Sequence, residues 1–157
     1  MAIEKVREYL KKFNRESDIL EFDVSSATVE LAAKALGCAP ELIAKTISLK
    51  LPDDTPILIV AAGDAKIDNR KYKDNFKTKA KMLSFDEVEQ TIGHAVGGVC
   101  PFAVNENVKI YLDESLKRFE YIYPACGSSN SAIKLTPNEL YTLSSPCEWI
   151  DVCKIPE

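Results

Sequence analysis

The pattern of apolar and polar positions predicts a helix at the N-terminus and two adjacent strands near the middle of the chain. Apolar residues recur with helical spacing over residues 2–13, as in an amphipathic helix. Ile47, Leu49 and Leu51 alternate with polar residues, as in a strand with one buried face. Residues 57–62 are continuously apolar, which is typical of a strand covered on both faces. Because only a short turn separates these two segments, we expect them to form a hairpin at the centre of a sheet.

Capping residues predict further helices between short strands. A helix over residues 28–36 is expected to start at Ser25 or Ser26 and to end at Gly37. Other helix starts are indicated by Asp68 before residues 69–76, by the capping box at Ser84 and by Thr136 followed by proline. Short strands are predicted over residues 19–24, 108–112, 121–123, 132–135 and 148–152. The mixture indicates an α/β fold in a single domain, residues 1–157.

Composition and charge narrow the function without assigning it. The net charge of −4 argues against a protein that coats nucleic acid, and no apolar run is long enough to span a membrane. The charged N-terminus does not resemble a secretory signal. Five cysteines without paired spacing are then expected to be reduced thiols of a cytoplasmic protein.

A local basic stretch stands out against this acidic background. Residues 64–81 contain seven basic and three acidic side chains, a local balance of +4. The basic residues are Lys66, Arg70, Lys71, Lys73, Lys77, Lys79 and Lys81. Such a stretch can attract a phosphate backbone, or it can be the solvated face of a helix, and the sequence leaves both interpretations open.

The loop at residues 93–103 contains three glycines, a proline, one cysteine and the single histidine of the chain. Adjacent glycines allow a close backbone approach to a ligand, although a tight helix-to-strand connection has the same composition. Cys100 and His94 could form a nucleophile and base, but no third orienting group is evident. With one histidine and no Cys-x-x-Cys spacing, we expect neither a metal site nor a cofactor.

Lys45 is the other candidate, because it lies where a short helix leads into the first central strand. A partly buried amine at this place requires an anion or a lowered pKa. Alternatively, the side chain reaches solvent from the start of the strand.

Several motifs together suggest a family. They are residues 39–47, which contain the Lys45-Thr46 pair, then Gly63-Asp64, residues 92–102, the Ala125-Cys126-Gly127 segment and residues 133–140. In this order they resemble the YbaK/ProX family, the free-standing relatives of the editing domain of bacterial prolyl-tRNA synthetase. The resemblance covers nearly the whole chain, and the Lys-Thr pair combined with the Gly-Gly-x-x-Pro-Phe loop is its most specific part.

The resemblance implies a strongly curved mixed sheet of about six or seven strands flanked by helices. It also implies a trans-editing deacylase that hydrolyses the ester of a mischarged tRNA, with Cys-tRNA-Pro or Ala-tRNA-Pro as the expected type. The implied catalytic residues are Lys45, Gly97 and Gly98. The implied substrate-binding residues are Thr46, Gly63, Asp64, Val99, Cys100, Pro101, Phe102, Gly127 and Ser128. Lys66, Arg70, Lys71 and Lys73 are expected to contact tRNA.

The expected mechanism uses no protein nucleophile. Lys45 and loop amides would orient the ester, and water or the thiol of a cysteinyl substrate would attack it. The expected partners are the acceptor end of the tRNA and prolyl-tRNA synthetase, and neither a membrane nor DNA. Two departures from the family pattern, Ala103 and the Ser128-Ser129-Asn130 segment, leave the substrate open. A non-catalytic adaptor that binds aminoacyl-tRNA or a synthetase and a Cys100-dependent hydrolase are the alternatives.

Overall fold

A strand of seven buried residues, Pro56–Ala62, lies at the centre of the fold. The computed structural model describes residues 2–156. Its helices are α1 (Ala2–Lys11), α2 (Val29–Leu36), α3 (Asn69–Phe76), α4 (Phe85–Ile92) and α5 (Pro137–Ser144). Its strands are β1 (Leu20–Glu21), β2 (Ile43–Lys50), β3 (Pro56–Ala62), β4 (Lys66–Ile67), β5 (Lys109–Asp113), β6 (Tyr123–Pro124), β7 (Ser131–Ala132), β8 (Glu148–Ile150) and β9 (Cys153–Lys154). Short 3-10 helices cover Glu16–Asp18, Pro40–Leu42 and Glu114–Arg118.

The main sheet is mixed and has the strand order β6-β2-β3-β5-β8. β2 and β3 pair antiparallel from Ala44 opposite Ala62 to Lys50 opposite Pro56, which confirms the predicted hairpin. The other neighbours in this sheet are parallel. Four further strands form two antiparallel ladders, β1 with β7 and β4 with β9. The predicted α/β class with a mixed sheet is confirmed, but the strands divide into a sheet of five and two ladders of two.

Local signals located most helices correctly. α3 follows Asp68, whose carboxylate accepts the backbone N–H of Arg70 and Lys71, and α4 carries the predicted capping box at Ser84. The cap of α2 is Thr28, not Ser25 or Ser26, because its hydroxyl accepts the N–H of Leu31. Only two residues of the predicted strand over residues 19–24 are in a ladder. β4 and β9 were missed, since two-residue strands carry no periodicity.

Two groups of buried side chains position the helices. The larger group joins β3 to Val6 and Leu10 of α1, both with no exposed surface. A smaller group packs Ala32 and Ala33 of α2 against Ile43 at the start of β2. Removing these apolar surfaces from water stabilises both contacts. The N-terminus of α2 therefore lies beside the first half of β2, where the cavity described next is found.

Candidate active site

A cavity of about 420 Å³ opens beside β2. Its walls come from β2, the first turn of α2, the start of α4 and two loops. The lining residues are mostly small, apolar or hydroxyl-bearing: Ser26, Ala27, Thr28, Val29, Ala32, Ile43, Ala44, Lys45, Thr46, Ile47, Ser48, Met82, Leu83, Phe85, Val88, Val96, Gly97, Val99, Tyr123, Ala125, Ser131 and Ala132. Lys45 is the charged side chain in this set.

The half-buried Lys45 ammonium is held by two main-chain carbonyls. Its Nζ donates to Gly63 O, at 3.3 Å, and to Ala65 O. Burial lowers the pKa of Lys45, while the nearby Asp64 carboxylate acts in the opposite direction. Two of the three N–H bonds of the ammonium are thus used within the protein, and the third has no hydrogen-bond partner among the described residues. The Lys45 amine is thus partly buried and held within the protein, as the sequence predicted for this position.

The turn after β3 that supplies these carbonyls is held close to the start of β2. A Cβ atom on Gly63 would lie 2.0 Å from Pro40 O, so no other residue fits there without moving the backbone. The Asp64 carboxylate forms a two-point ion pair with Arg118, with distances of 2.6 and 3.2 Å. This hydrogen-bonded pair lowers the pKa of Asp64.

The loop at residues 93–103, called the glycine loop from here on, packs against the loop that precedes β7. A Cβ atom on Gly98 would lie 2.7 Å from Ser128 N and 2.8 Å from Gly127 C. Such distances are shorter than any normal contact, so the glycine is required for this approach. Gly97 and Val99 reach the cavity wall, whereas Gly98, Gly127 and Ser128 form the contact behind it.

The cavity wall contributed by residues 26–29 was not predicted. Backbone hydrogen bonds join this part of the chain to the loop before β7, from Phe22 N to Asn130 O at 2.8 Å and from Ser26 N to Ser129 O at 2.6 Å. The run Ser25-Ser26-Ala27-Thr28 has small residues like those of the segment 125–131, and this shared composition is the signal that could have found it. The contributions of α4, namely Phe85 and Val88, had no such signal.

His94 and Cys100 lie in the core and do not line the cavity. Both side chains have no exposed surface, and Cys100 Sγ is 3.5 Å from His94 Nε2. The same nitrogen is 2.7 Å from Phe102 O. Burial raises the pKa of Cys100 to about 12 and lowers the pKa of His94. A nucleophilic cysteine needs a stabilised thiolate, so this pair does not have the surroundings of a catalytic one.

The structure brings together only part of the predicted catalytic and substrate-binding residues. Lys45, Thr46, Gly97 and Val99 line the cavity. The side chains of Cys100, Pro101 and Phe102 are buried beneath the loop, so only their backbone groups remain available for a ligand. Gly63 and Asp64 lie one layer back, on the turn that holds Lys45. The roles assigned to all these residues stay predictions.

The predicted tRNA contacts lie on β4 and α3, away from the cavity lining. Lys66 follows the turn that holds Lys45, and Arg70 and Lys73 are exposed on α3. The Lys71 ammonium donates to Asp151 and to Cys153 O, at 3.0 and 2.9 Å, so it is engaged within the protein. Whether this stretch contacts tRNA stays a prediction.

The fold and the cavity define an α/β domain with one lysine at the wall of a small, otherwise uncharged site. The aminoacyl-tRNA editing domain model matches residues 23–143, and this chain belongs to that family. The match confirms the YbaK-type resemblance of the sequence motifs. Within residues 2–156, no helix is long and apolar enough to cross a membrane.

Three comparisons show which known proteins this chain is similar to. It is 53% identical over 154 residues to the uncharacterised protein YwhH of Bacillus subtilis strain 168, with 98% of both chains covered. It is 26% identical to the "Putative Cys-tRNA(Pro)/Cys-tRNA(Cys) deacylase EbsC" of Enterococcus faecalis, over 75% of this chain and 73% of that one. A crystal structure described as "a putative trans-editing enzyme for prolyl tRNA synthetase" has the same fold. Its TM-score is 0.86 at 24% identity, with 98% and 97% of the chains covered.

Proposed function

We propose that this protein is a trans-editing deacylase that hydrolyses the ester bond of a mischarged aminoacyl-tRNA. The observation that carries the proposal is the Lys45 ammonium, which keeps one free donor at the wall of an otherwise uncharged cavity. Family membership supplies the substrate class, aminoacyl-tRNA, and an editing role. The proposed place of action is the cytoplasm.

The cavity wall favours a small, uncharged amino acid. The wall includes alanine, glycine, serine and threonine residues, and it offers hydroxyl groups but no carboxylate. Cysteine and alanine esters of tRNA-Pro are therefore the first candidates, and the name of the relative EbsC supports the cysteinyl one. Selection by size fits a separate editing site, because binding energy alone discriminates poorly between small apolar side chains.

In the proposed mechanism, water adds to the ester carbonyl carbon and the bond to the ribose oxygen breaks. The leaving ribose oxygen takes one proton of the attacking water and becomes a hydroxyl, and the amino acid leaves as a carboxylate while the second proton passes to solvent. Lys45 would stabilise the negative charge that develops on the carbonyl oxygen. The N-terminus of α2, at Thr28 and Val29, adds the positive end of a helix dipole. Among the described residues, the buried Thr46 Oγ1 has no hydrogen-bond partner, so it is available to orient the substrate.

Exposed apolar side chains at the cavity rim suit the unpaired end of a tRNA. Phe85 is 77% exposed and Met82 58% exposed, and both line the cavity. Bases stack on exposed aromatic rings at about 1–3 kcal/mol per base. Lys79 and Lys81 precede this rim and can approach phosphates, and Lys66, Arg70 and Lys73 extend the basic surface. Prolyl-tRNA synthetase stays a proposed partner.

The experiment is a deacylation screen of purified protein against tRNA-Pro charged with cysteine, alanine or proline, and against other small aminoacyl-tRNAs. Lys45→Ala is assayed in parallel, and Lys109→Ala serves as the control because Lys109 is exposed on β5 outside the cavity lining. We expect hydrolysis of one mischarged species that Lys45→Ala loses and Lys109→Ala keeps. Hydrolysis of none, with tRNA binding intact, would replace the deacylase by the adaptor.

A further inference from the structure

We propose that Arg118 is a positioning residue, which holds the Asp64 carboxylate away from the Lys45 ammonium and so leaves the third ammonium donor to the substrate. This inference rests on the proposed function, because that function gives Lys45 its task. It assigns a role to a residue outside the cavity lining. It also predicts that a second substitution, at Asp64, restores the activity that is lost when Arg118 is replaced.

Asp64 lies in the sequence between the two residues whose carbonyls hold Lys45. Nζ donates to Gly63 O and Ala65 O, and Asp64 is the residue between them in the turn. Its side chain is the acidic group on the segment that touches the ammonium. A free carboxylate at this place would bind the remaining N–H of Lys45, since charge-assisted hydrogen bonds are the strongest available to an ammonium.

Arg118 keeps the carboxylate occupied through both of its oxygens. Nη2 is 2.6 Å from Asp64 Oδ1 and Nη1 is 3.2 Å from Oδ2, while Nε donates to Ser115 O at 2.9 Å. The planar guanidinium thus bridges the turn after β3 and the 3-10 helix Glu114–Arg118. Lysine could not reproduce this two-point arrangement with the same side-chain geometry.

The 3-10 helix that carries Arg118 is itself fixed to the sheet. Asp113, which is 1% exposed, accepts the N–H groups of Ser115 and Val152, both at 2.9 Å. Ser115 Oγ accepts the N–H of Ala62 at 3.1 Å, at the end of β3. The 3-10 helix that carries Arg118 is therefore anchored to the end of β3. The turn that contains Asp64 begins at the next residue, Gly63.

Other charged and titratable groups near Lys45 do not replace Asp64. Lys66 on β4 repels the ammonium, and Glu30 is exposed in the first turn of α2. Cys153 on β9 has its pKa raised to about 12, chiefly by burial, so its thiol is neutral at physiological pH. Among these groups, Asp64 is thus the one that is negatively charged and lies on the turn that contacts the Lys45 ammonium.

The test compares wild type, Arg118→Gln and the double variant Asp64→Asn/Arg118→Gln in the deacylation assay. Arg118→Gln frees the carboxylate, and we expect kcat to fall at least tenfold with a smaller change in KM. The double variant removes the freed charge and keeps a neutral hydrogen-bonding pair. We expect it to recover most of the lost kcat. A double variant as slow as the single one would overturn the proposal and reduce Arg118 to a support of the turn.

A second measurement does not depend on activity. The amine of Lys45 can be followed by NMR of protein labelled with ¹³C,¹⁵N-lysine, which leaves all three N–H bonds in place, and its signal can be assigned by its absence in Lys45→Arg. We expect the pKa of Lys45 to rise in Arg118→Gln and to return in the double variant. An unchanged pKa in Arg118→Gln would overturn the proposal. Inactivity of the wild type on every aminoacyl-tRNA would instead overturn the deacylase, while the NMR result still decides the ion pair.

Arg15→Gln is the matched control for loss of an arginine ion pair. Arg15 is partly buried and pairs with Glu139 at 2.7 Å, away from the cavity lining. We expect it to keep the wild-type kcat and the wild-type pKa of Lys45. A tenfold loss of kcat in Arg15→Gln would show that losing any such pair slows the protein and would overturn the specific role of Arg118.

Discussion

The cavity wall and the core behind the loop at residues 93–103 both carry side chains capable of chemistry, and they differ in what surrounds them. At the cavity wall, Lys45 is half-buried and keeps a donor for a ligand. Behind the glycine loop, Cys100 and His94 contact each other but have no exposed surface. Burial lowers the pKa of the lysine and raises that of the cysteine. Desolvation disfavours both charged forms, but only the lysine has an opening through which its remaining donor can act.

Residue type and proximity alone therefore do not make a catalytic pair. Cys100 and His94 look like a nucleophile and a base in the sequence, yet their contacts with Phe102 O tie the loop to itself. Lys45 looks less reactive, and its importance comes from the turn that holds it. The following predictions test this difference between the two regions, beginning with the largest expected effect.

The first prediction concerns the Lys45 charge. Lys45→Met keeps much of the side-chain volume and removes the ammonium. We expect kcat to fall by about 10²–10³-fold, the typical cost of losing one group that stabilises a developing oxyanion. The free energy of unfolding should stay the same or increase, because a half-buried charge no longer has to be desolvated. Steady-state kinetics and thermal unfolding measure the two effects, with Lys109→Met as the control.

The second prediction concerns the contact between the two loops. Gly98→Ala places a methyl group 2.7 Å from Ser128 N, so the backbone must move. We expect a loss of about 1–3 kcal/mol in the free energy of unfolding. Deacylation should decrease as well, because the displaced loop carries Gly97 and Val99 of the cavity wall.

Gly37→Ala is the matched control for this substitution. A Cβ atom at Gly37 meets nothing within 4 Å, but φ is +70°. It should cost only the backbone strain, about 1 kcal/mol, and leave deacylation unchanged. Denaturant unfolding that gives Gly98→Ala no larger loss than Gly37→Ala would contradict the account of the loop contact.

The third prediction concerns the rim beyond Lys45. Phe85→Ala removes an aromatic ring that is 77% exposed and has little to lose in packing. If a base of the tRNA end stacks there, KM should rise by about 5–150-fold, corresponding to 1–3 kcal/mol, with little change in kcat. Tyr141→Ala is the control, since Tyr141 is also exposed but lies on α5 outside the cavity lining. Equal KM values for the two variants would remove the stacking role.

The fourth prediction concerns the buried histidine and the pH dependence of stability. Because burial lowers the pKa of His94 in the folded protein, the unfolded chain binds a proton more readily. Its contribution to stability is present above the unfolded pKa of about 6.5 and is lost as the pH falls below it, by up to about 1.4 kcal/mol per pH unit. His94 is the only histidine in the sequence, so the effect can be assigned.

Thermal unfolding between pH 7.5 and pH 5 measures this effect. The wild type should lose stability in this interval, and His94→Asn should show a flatter profile at a lower overall stability. Identical slopes for the two proteins would mean that the folded state accommodates the protonated imidazole. Such a result would favour a functional role for the buried pair of Cys100 and His94.

Sequence patterns located the fold better than the cavity. The hairpin of β2 and β3 and the helix caps at Asp68, Ser84 and Thr136 were correct because they depend on residues close in sequence. The cavity wall at Ser26 to Val29 depends on hydrogen bonds across more than 100 residues, such as that from Ser26 N to Ser129 O. No local periodicity reports such contacts.

The prediction of the site was limited in the same way, because sequence patterns do not report contacts between residues that are distant in the sequence. Lys45 was found because an amine at the start of a central strand is unusual. The burial of Cys100 and the ion pair of Asp64 with Arg118 could not be found, since they depend on how distant loops pack. Motif membership alone did not separate residues that line the cavity from residues that support it.

Single-turnover deacylation of Cys-tRNA-Pro by the wild type, Lys45→Met and Cys100→Ser, compared in one experiment, separates the lysine of the cavity wall from the buried cysteine. Circular dichroism and thermal unfolding verify that both variants are folded. We expect Lys45→Met to lose at least about 100-fold in rate, while Cys100→Ser stays within a few-fold of the wild type. An inactive, folded Cys100→Ser, or a Lys45→Met variant with the wild-type rate, would contradict this expectation.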